Sequence, residues 1–230
     1  MSTTPSHPLD RPVWSALTTR QAHLAEGDGR AWRLEPDHGP FAAAADGSAA
    51  SLEALAALIP VGGSVWTVEV DPMPTPPGTV VMNQAQCHQM VADAVEASSP
   101  DFLIVPLTEE DAPEMLALAT LTVPGPFLHH THRMGAFVGV KQDGRLVAMA
   151  GERMRLDGFT EVSGVCTHPD FRGRGYAGGL MSAVARRILD RGDAAFLHVY
   201  VTNTGAIALY EALGFRIRTT VTATVLARAR

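Results

Sequence analysis

The sequence predicts an α/β (α+β) fold, a mixed and mainly antiparallel sheet with flanking helices, preceded by a smaller α/β lobe. Three observations carry this. Residues 136–167 read as three successive strands punctuated by Asp143-Gly144 and Asp157-Gly158, the strongest short hairpin signals in the chain. The third strand runs into a glycine-arginine loop and then a helical stretch from Leu180 to Leu189. The pattern also changes at Ser98-Ser99-Pro100, which divides an N-terminal lobe, residues 1–100, from a larger domain, residues 101–230.

A chain of 230 residues with 46% hydrophobic and 18% charged residues is long and apolar enough to build a core. Its 18 basic and 24 acidic side chains leave a net charge of −6. That balance argues against a general nucleic-acid binder, so the arginines near the loop read as a local anion site. Cys87 and Cys166 are too few for a disulfide framework and lack metal-ligand spacing. Cys166 reads as a small buried apolar residue. Met1 to Pro12 contains no signal-peptide core, and no apolar run reaches the ~18 residues of a membrane helix. The expectation is a soluble, cytoplasmic protein with no membrane or nucleic-acid partner and no metal.

In order, Met1 to Pro12 is rich in Pro, Ser and Thr and is expected to fray. Val13 to Leu24 carries Val13, Trp14, Leu17 and Leu24 at helical spacing. Ala31 to Leu34 reads as a short strand. Ser51 reads as the N-cap of a helix with Leu52, Leu55, Leu58 and Ile59 inward, closed by Pro60. Val65 to Val70 alternates as a strand, and Asp71 to Gly78 holds four prolines and reads as a loop. Asn83 to Ala97 reads as a helix with Met90, Val91 and Val95 inward. No catalytic spacing, and no glycine-arginine loop after a strand, occurs in this half.

In the second half, Phe102 to Leu107 is a strand, and Thr108 caps a helix whose first turn holds Glu109, Glu110 and Asp111, the charge sign that the helix dipole favours. Val123 to Arg133 is a loop containing His129, His130 and His132, with Phe127 as a packing anchor. The meander, the glycine loop and its helix follow. Ala195 to Val201 is a strand, Asn203 caps a helix ending near Ala212, Gly214 closes it, and Phe215 to Ala227 is a final β segment.

The loop His168-Pro169-Asp170-Phe171-Arg172-Gly173-Arg174-Gly175-Tyr176-Ala177 has the layout of an anion site. Glycines let backbone N–H groups approach a phosphate, and a helix N-terminus adds partial positive charge. It lacks the Gly-Lys-Ser/Thr of a nucleotide P-loop. Gly173, Gly175 and Gly178 fit the spacing of a dinucleotide loop, a pattern that is weak by itself. Arg172-x-x-Gly175-x-Ala177 after His168-Pro169 resembles the coenzyme A pyrophosphate loop of the GNAT superfamily of N-acetyltransferases. Asn203-x-x-Ala206-x-x-Leu209-Tyr210-Glu211-x-Leu213-Gly214-Phe215 resembles the C-terminal motif of the same superfamily. The resemblance covers residues 101–230. Residues 1–100 are similar, more weakly, to the degenerate half of two-lobed members such as glycine N-acyltransferases.

The resemblance implies a splayed central strand pair and acetyl-CoA as cosubstrate for direct attack by a small-molecule or peptide amine. It implies that Val165, Cys166 and Thr167 pair with the pantetheine arm, that Arg172, Gly173, Arg174, Gly175, Tyr176 and Ala177 bind the pyrophosphate, and that Tyr210 reaches the cofactor sulfur as general acid. Asn203 either caps its helix alone or also touches the cofactor. Gly164, inside a strand, marks a bulge or close approach. Glu161 lies at the offset of the general base in histone-type members, and its apolar surroundings predict a raised pKa; Glu152 is its rival, and a structural carboxylate is the other reading of either. The three loop histidines fall where the family places acceptor-binding residues, and His198 reads as a satisfied core histidine. A non-catalytic acyl-CoA-binding module and a transferase for a longer acyl chain are the alternative functions.

Overall fold

The structure, a computed structural model, describes residues 7–96 and 100–229. Part of the expected frayed N-terminus (Met1 to Ser6) and the Ser98-Ser99 break lie outside the described residues. A 3-10 turn at Pro8–Asp10 leads into α1 (Pro12–Thr18). Strands β1 (Ala25–Gly27), β2 (Ala31–Leu34) and β3 (Ala42–Ala44) form a small antiparallel sheet, covered by α2 (Ala49–Leu58). Then come β4 (Ser64–Glu69), β5 (Thr79–Ala92), β6 (Val105–Leu107), α3 (Ala112–Thr122), β7 (Phe137–Gln142), β8 (Arg145–Leu156) and β9 (Phe159–Thr167). The chain closes with α4 (Tyr176–Asp190), β10 (Ala194–Tyr200), α5 (Thr204–Ala212) and β11 (Arg216–Arg228).

The main sheet has eight strands in the order β4-β11-β5-β10-β9-β8-β7-β6. Every neighbouring pair is antiparallel except β9 and β10. The mixed, mainly antiparallel architecture expected from the meander is therefore what forms. The boundary expected near residue 100 does not divide it. Strands β4 and β5, from the first hundred residues, pair with β11, and β5 lies between β10 and β11. The first hundred residues do not close into a lobe of their own.

The reading of Asn83 to Ala97 as a helix is wrong for the same reason. Its Gln, Ala and Met favour a helix locally, yet β5 is paired along both edges, and tertiary pairing overrides propensity. Gln84 and Gln86 donate from Nε2 to Thr224 and Thr222 Oγ1 at 3.1 and 3.0 Å, and His88 Nδ1 meets Thr220 Oγ1 at 3.2 Å. These are directly opposed residues in the register with β11, so side-chain hydrogen bonds reinforce the ladder.

Other boundaries shift locally. α1 stops at Thr18 rather than near Leu24, where the hydroxyls of Thr18 and Thr19 turn back onto Trp14 and Ser15 carbonyls at 2.8 and 2.6 Å. Ser48, not Ser51, caps α2, accepting from Ser51 N at 3.3 Å. The strand expected from Phe102 begins at Val105, and the Phe102 ring packs on Tyr176 at 4.8 Å. Thr108 and Asp111 form a reciprocal capping box around a 3-10 turn that leads into α3.

Strand alternation sorts the core onto two faces. Ala148, Ala150, Val162, Leu197 and Val199 pack beneath α4 and α5 with Leu180, Val184 and Ile188. On the other face Leu9, Val13 and Leu17 from the N-terminus meet Phe41, Met154, Phe196 and Val221, and α3 packs on Met149 and Cys166. The N-terminal segment thus covers the face of the main sheet opposite α4 and α5.

Candidate active site

Strands β9 and β10 pair over three residues each, Phe159–Glu161 with Ala194–Phe196. Beyond that they separate. The β8 register jumps from Gly151↔Ser163 to Met149↔Cys166, a bulge centred on Gly164, which has φ +64°. A Cβ there would sit 2.9 Å from the Phe137 ring, so the bulge needs glycine both for conformation and for space. A cavity of about 590 Å³ fills the gap, lined by residues 161–167 of β9 and 197–200 of β10.

One end of the cavity is the glycine loop. Gly175 is the left-handed N-cap residue of α4 at φ +76°, and no side chain caps that helix. The first-turn N–H groups of a helix have no acceptor within it, and Tyr176, Ala177 and Gly178 line the cavity together with Arg172, Gly173 and Gly175. Arg172 forms no ion pair among the described residues. Arg174 is placed differently from expectation: its guanidinium stacks over Phe171 at 4.9 Å and the residue does not line the cavity. The Tyr176 side chain is core, so only its backbone faces an anion.

Val165, Cys166 and Thr167 line the middle of the cavity. Burial pushes the Cys166 thiol up to about 11, which leaves it inert as a nucleophile. Asn203 accepts from Ala206 N at 3.3 Å and so caps α5, while also lining the cavity. Two turns on, Tyr210 faces the same space. Burial by itself raises its phenol above the ordinary value, with no hydrogen bond contributing. A phenol that stays protonated can donate a proton.

Glu161 lines the cavity but departs from expectation. Burial alone would raise its carboxyl, but the Arg153 charge, with hydrogen bonds from His198 and Arg153, outweighs that and holds it down at about 2. Arg153 Nε and Nη2 donate at 2.8 and 2.9 Å, His198 Nδ1 lies at 2.9 Å and Met154 N at 3.3 Å. A carboxylate so committed is a poor base. His198 is satisfied at both nitrogens: a carboxylate only accepts, so Nδ1 carries the proton and Nε2 accepts from Gln89 Nε2 at 3.1 Å. Arg218 Nε donates to Gln89 Oε1 at 2.6 Å, which fixes that amide's orientation.

Glu152, the rival base, does not line the cavity; it is buried against Arg187 of α4 at 3.2 Å and Arg191, the C-cap of that helix, at 2.9 Å. The loop histidines do not reach the cavity either. His132 meets Glu109 at 2.9 Å, and His130 stacks edge-on against His38. Among the described residues no cluster of His, Cys, Asp and Glu could hold a metal ion, and no helix is long and apolar enough to cross a membrane.

Comparison with known proteins bears on this geometry. The FR47-like protein family model matches residues 137–224, which span β7 to most of β11. A crystal structure from Novosphingobium aromaticivorans DSM 12444, assigned as an acetyltransferase of the GNAT family, is 49% identical; the match covers 98% of this chain and 100% of that one, with a TM-score of 0.92. The chain belongs to the GNAT family of acetyltransferases. A GCN5-related N-acetyltransferase from Kribbella flavida shares the fold at 18% identity and a TM-score of 0.62, over 99% of this chain and 96% of that one. A GCN5-related N-acetyltransferase-like protein from Streptococcus suis 89/1591 shares it at 14% and 0.60, over 94% and 92%. No curated protein matches the sequence.

In this GNAT protein the far end of the cavity is built from residues that sequence reasoning passed over. Phe41, Trp66 and Val68 come from the first hundred residues, with Cys87 from β5 and Ala223 from β11. They are apolar residues scattered over β4, β5, β11 and the segment before β3, and carry no motif. The rim is Thr122 to Pro126, where Val123 takes φ +49° at the end of α3. The Pro124-Gly125-Pro126 run marked that loop, but not its place at the GNAT cavity.

Proposed function

We propose that the chain is an N-acetyltransferase that takes acetyl-CoA as cosubstrate and transfers its acetyl group to an amine by direct attack. The observation that carries this reading is the single cavity that runs from the uncapped start of α4, through the gap between β9 and β10, to the hydroxyl of Tyr210. The donors present fit a coenzyme A pyrophosphate. They are the unclaimed N–H groups of the first turn of α4, the glycine backbone at residues 173 and 175, and the unpaired Arg172. Arg174 contributes backbone alone. Val165 to Thr167 present the strand edge left open by the bulge, which suits the amides of a pantetheine arm.

In the transfer step the amine nitrogen bonds to the thioester carbon and the C–S bond breaks. Tyr210 Oη gives its proton to the departing sulfur, and the nitrogen loses one proton to water. Glu161 has no part as the proton acceptor in this reading; with Arg153 and His198 it fixes the wall beside the reacting atoms. The acceptor therefore enters as the free amine. The two buried free cysteines support a reducing compartment such as the cytoplasm.

Calorimetry with acetyl-CoA, followed by thiol release with a panel of amines, tests the reading. Binding at one site per chain and amine-dependent thiol release are expected. Binding without release for any amine would leave a non-catalytic module instead.

A further inference from the structure

The cavity reaches both faces of the sheet. Its loop end lies with α4 and α5, and its far end lies among Phe41, Trp66, Val68, Cys87 and Ala223 on the opposite face. If the pyrophosphate occupies the loop end, the acceptor must approach the thioester from the far end. That wall is aromatic and aliphatic. Glu161 is the only carboxylate lining the cavity among the described residues, and it is already neutralised by Arg153 and hydrogen-bonded by His198.

Such a wall has two physical effects on an amine. It offers no counter-charge, so burying a second ammonium there carries an uncompensated desolvation cost. It also disfavours the charged form of the reacting amine, lowering that amine's pKa on entry and supplying the nucleophilic free base without a protein base. The Arg153 guanidinium, stacked on Phe41 at 4.6 Å, is spent on Glu161, so the pair leaves no net negative charge to attract a second cation.

We propose that the acceptor is a monoamine with an apolar body, which the wall of Phe41, Trp66 and Val68 grips while excluding polyamines and other multiply cationic acceptors. Trp66 is the specificity residue. Its backbone is tied to the chain ahead of it, because the Trp66 backbone N–H donates to Pro40 O at 2.7 Å. The inference rests on the acetyl-transfer reading above and deepens it.

The test compares kcat/KM for hexylamine and benzylamine with that for spermidine and a lysine-containing peptide, at saturating acetyl-CoA and fixed pH. Hexylamine or benzylamine should lead by at least about tenfold, the cost of one poorly placed charge or of about two lost methylene burials. Trp66→Ala should raise KM for the apolar amines by about tenfold, change kcat little, and leave acetyl-CoA affinity by calorimetry intact, because Trp66 lies on the other face from the loop. Trp66→Phe should restore most of the loss. Equal or better use of spermidine or the peptide would overturn the inference while leaving acetyl transfer standing. A Trp66→Ala enzyme that binds acetyl-CoA normally and keeps its KM would overturn it too. Absence of thiol release with every amine tried would overturn the acetyl-transfer reading and this inference with it.

Discussion

Arg153 and Glu161 face each other from β8 and β9 in a two-point ion pair, with donors at 2.8 and 2.9 Å and almost no solvent exposure. The pair sits at the last point where β9 and β10 are bonded together, since Glu161 opposes Phe196 in the final register pair. It therefore lies where the two strands begin to part.

Breaking that pair should cost stability more than chemistry. Glu161→Gln leaves the Arg153 charge buried and should destabilise the fold by ~3–5 kcal/mol, the usual cost of removing one partner of a buried pair. Denaturant unfolding measures it. The residual activity should run parallel to wild type across pH 6 to 9; a deficit at low pH that recovers as pH rises would restore Glu161 as a base.

The same carboxyl sets an acid limit. Its folded value of about 2 lies below its ordinary 4.5, so the contribution is whole above the unfolded value and drains away as pH falls through about 2. Thermal unfolding between pH 6 and pH 2 should show a falling midpoint. Glu161→Gln should flatten that slope.

Tyr210→Phe should leave acetyl-CoA affinity unchanged and lower kcat by ~10²–10⁴-fold, the range for a single general acid. Rising pH should not rescue it, because free amine does not replace a missing proton donor. Stopped-flow thiol detection over pH 6 to 9 checks both statements.

Gly173→Glu should abolish acetyl-CoA binding by calorimetry while the circular dichroism spectrum stays native. Gly173 has φ +78° with open space around a built Cβ, so the side chain meets no neighbour and only the left-handed backbone costs ~1–3 kcal/mol, while its charge opposes the pyrophosphate.

Gly164→Ala should weaken acetyl-CoA binding and lower the melting midpoint together. The left-handed φ costs ~1–3 kcal/mol for a side chain, and the Phe137 ring stands in its way. Relief comes from closing the bulge, which narrows the gap.

The sequence made the second half legible because its information is local. Asp143-Gly144 turns a hairpin, Gly175 starts α4 and Asn203 caps α5 through contacts only a few residues away. Gly164 also announced itself, as a glycine where a strand wants a branched side chain. The rest depended on distant partners. Glu161 reads as a raised-pKa base until Arg153 and His198 arrive from neighbouring strands to claim both oxygens. Arg174 reads as a phosphate ligand until Phe171 takes its guanidinium. Phe41 and Trp66 become part of the cavity wall only because β4 joins the far edge of a sheet built mostly from residues beyond 100.

The location of β5 has a cost in time. Its two neighbours, β10 and β11, begin at Ala194 and Arg216, whereas β5 ends at Ala92. At synthesis rates of ~5–20 residues per second, the strand waits on the order of ten seconds before either partner emerges. A waiting strand is an aggregation hazard, and asparagine and glutamine side chains can add ladders of their own to a wrong pairing. Gln84, Gln86 and His88 meet their threonine partners only once β11 has been made. A fragment starting near residue 101 would lack this strand altogether, leaving β10 and β11 with bare inner edges and a tendency to associate with other chains.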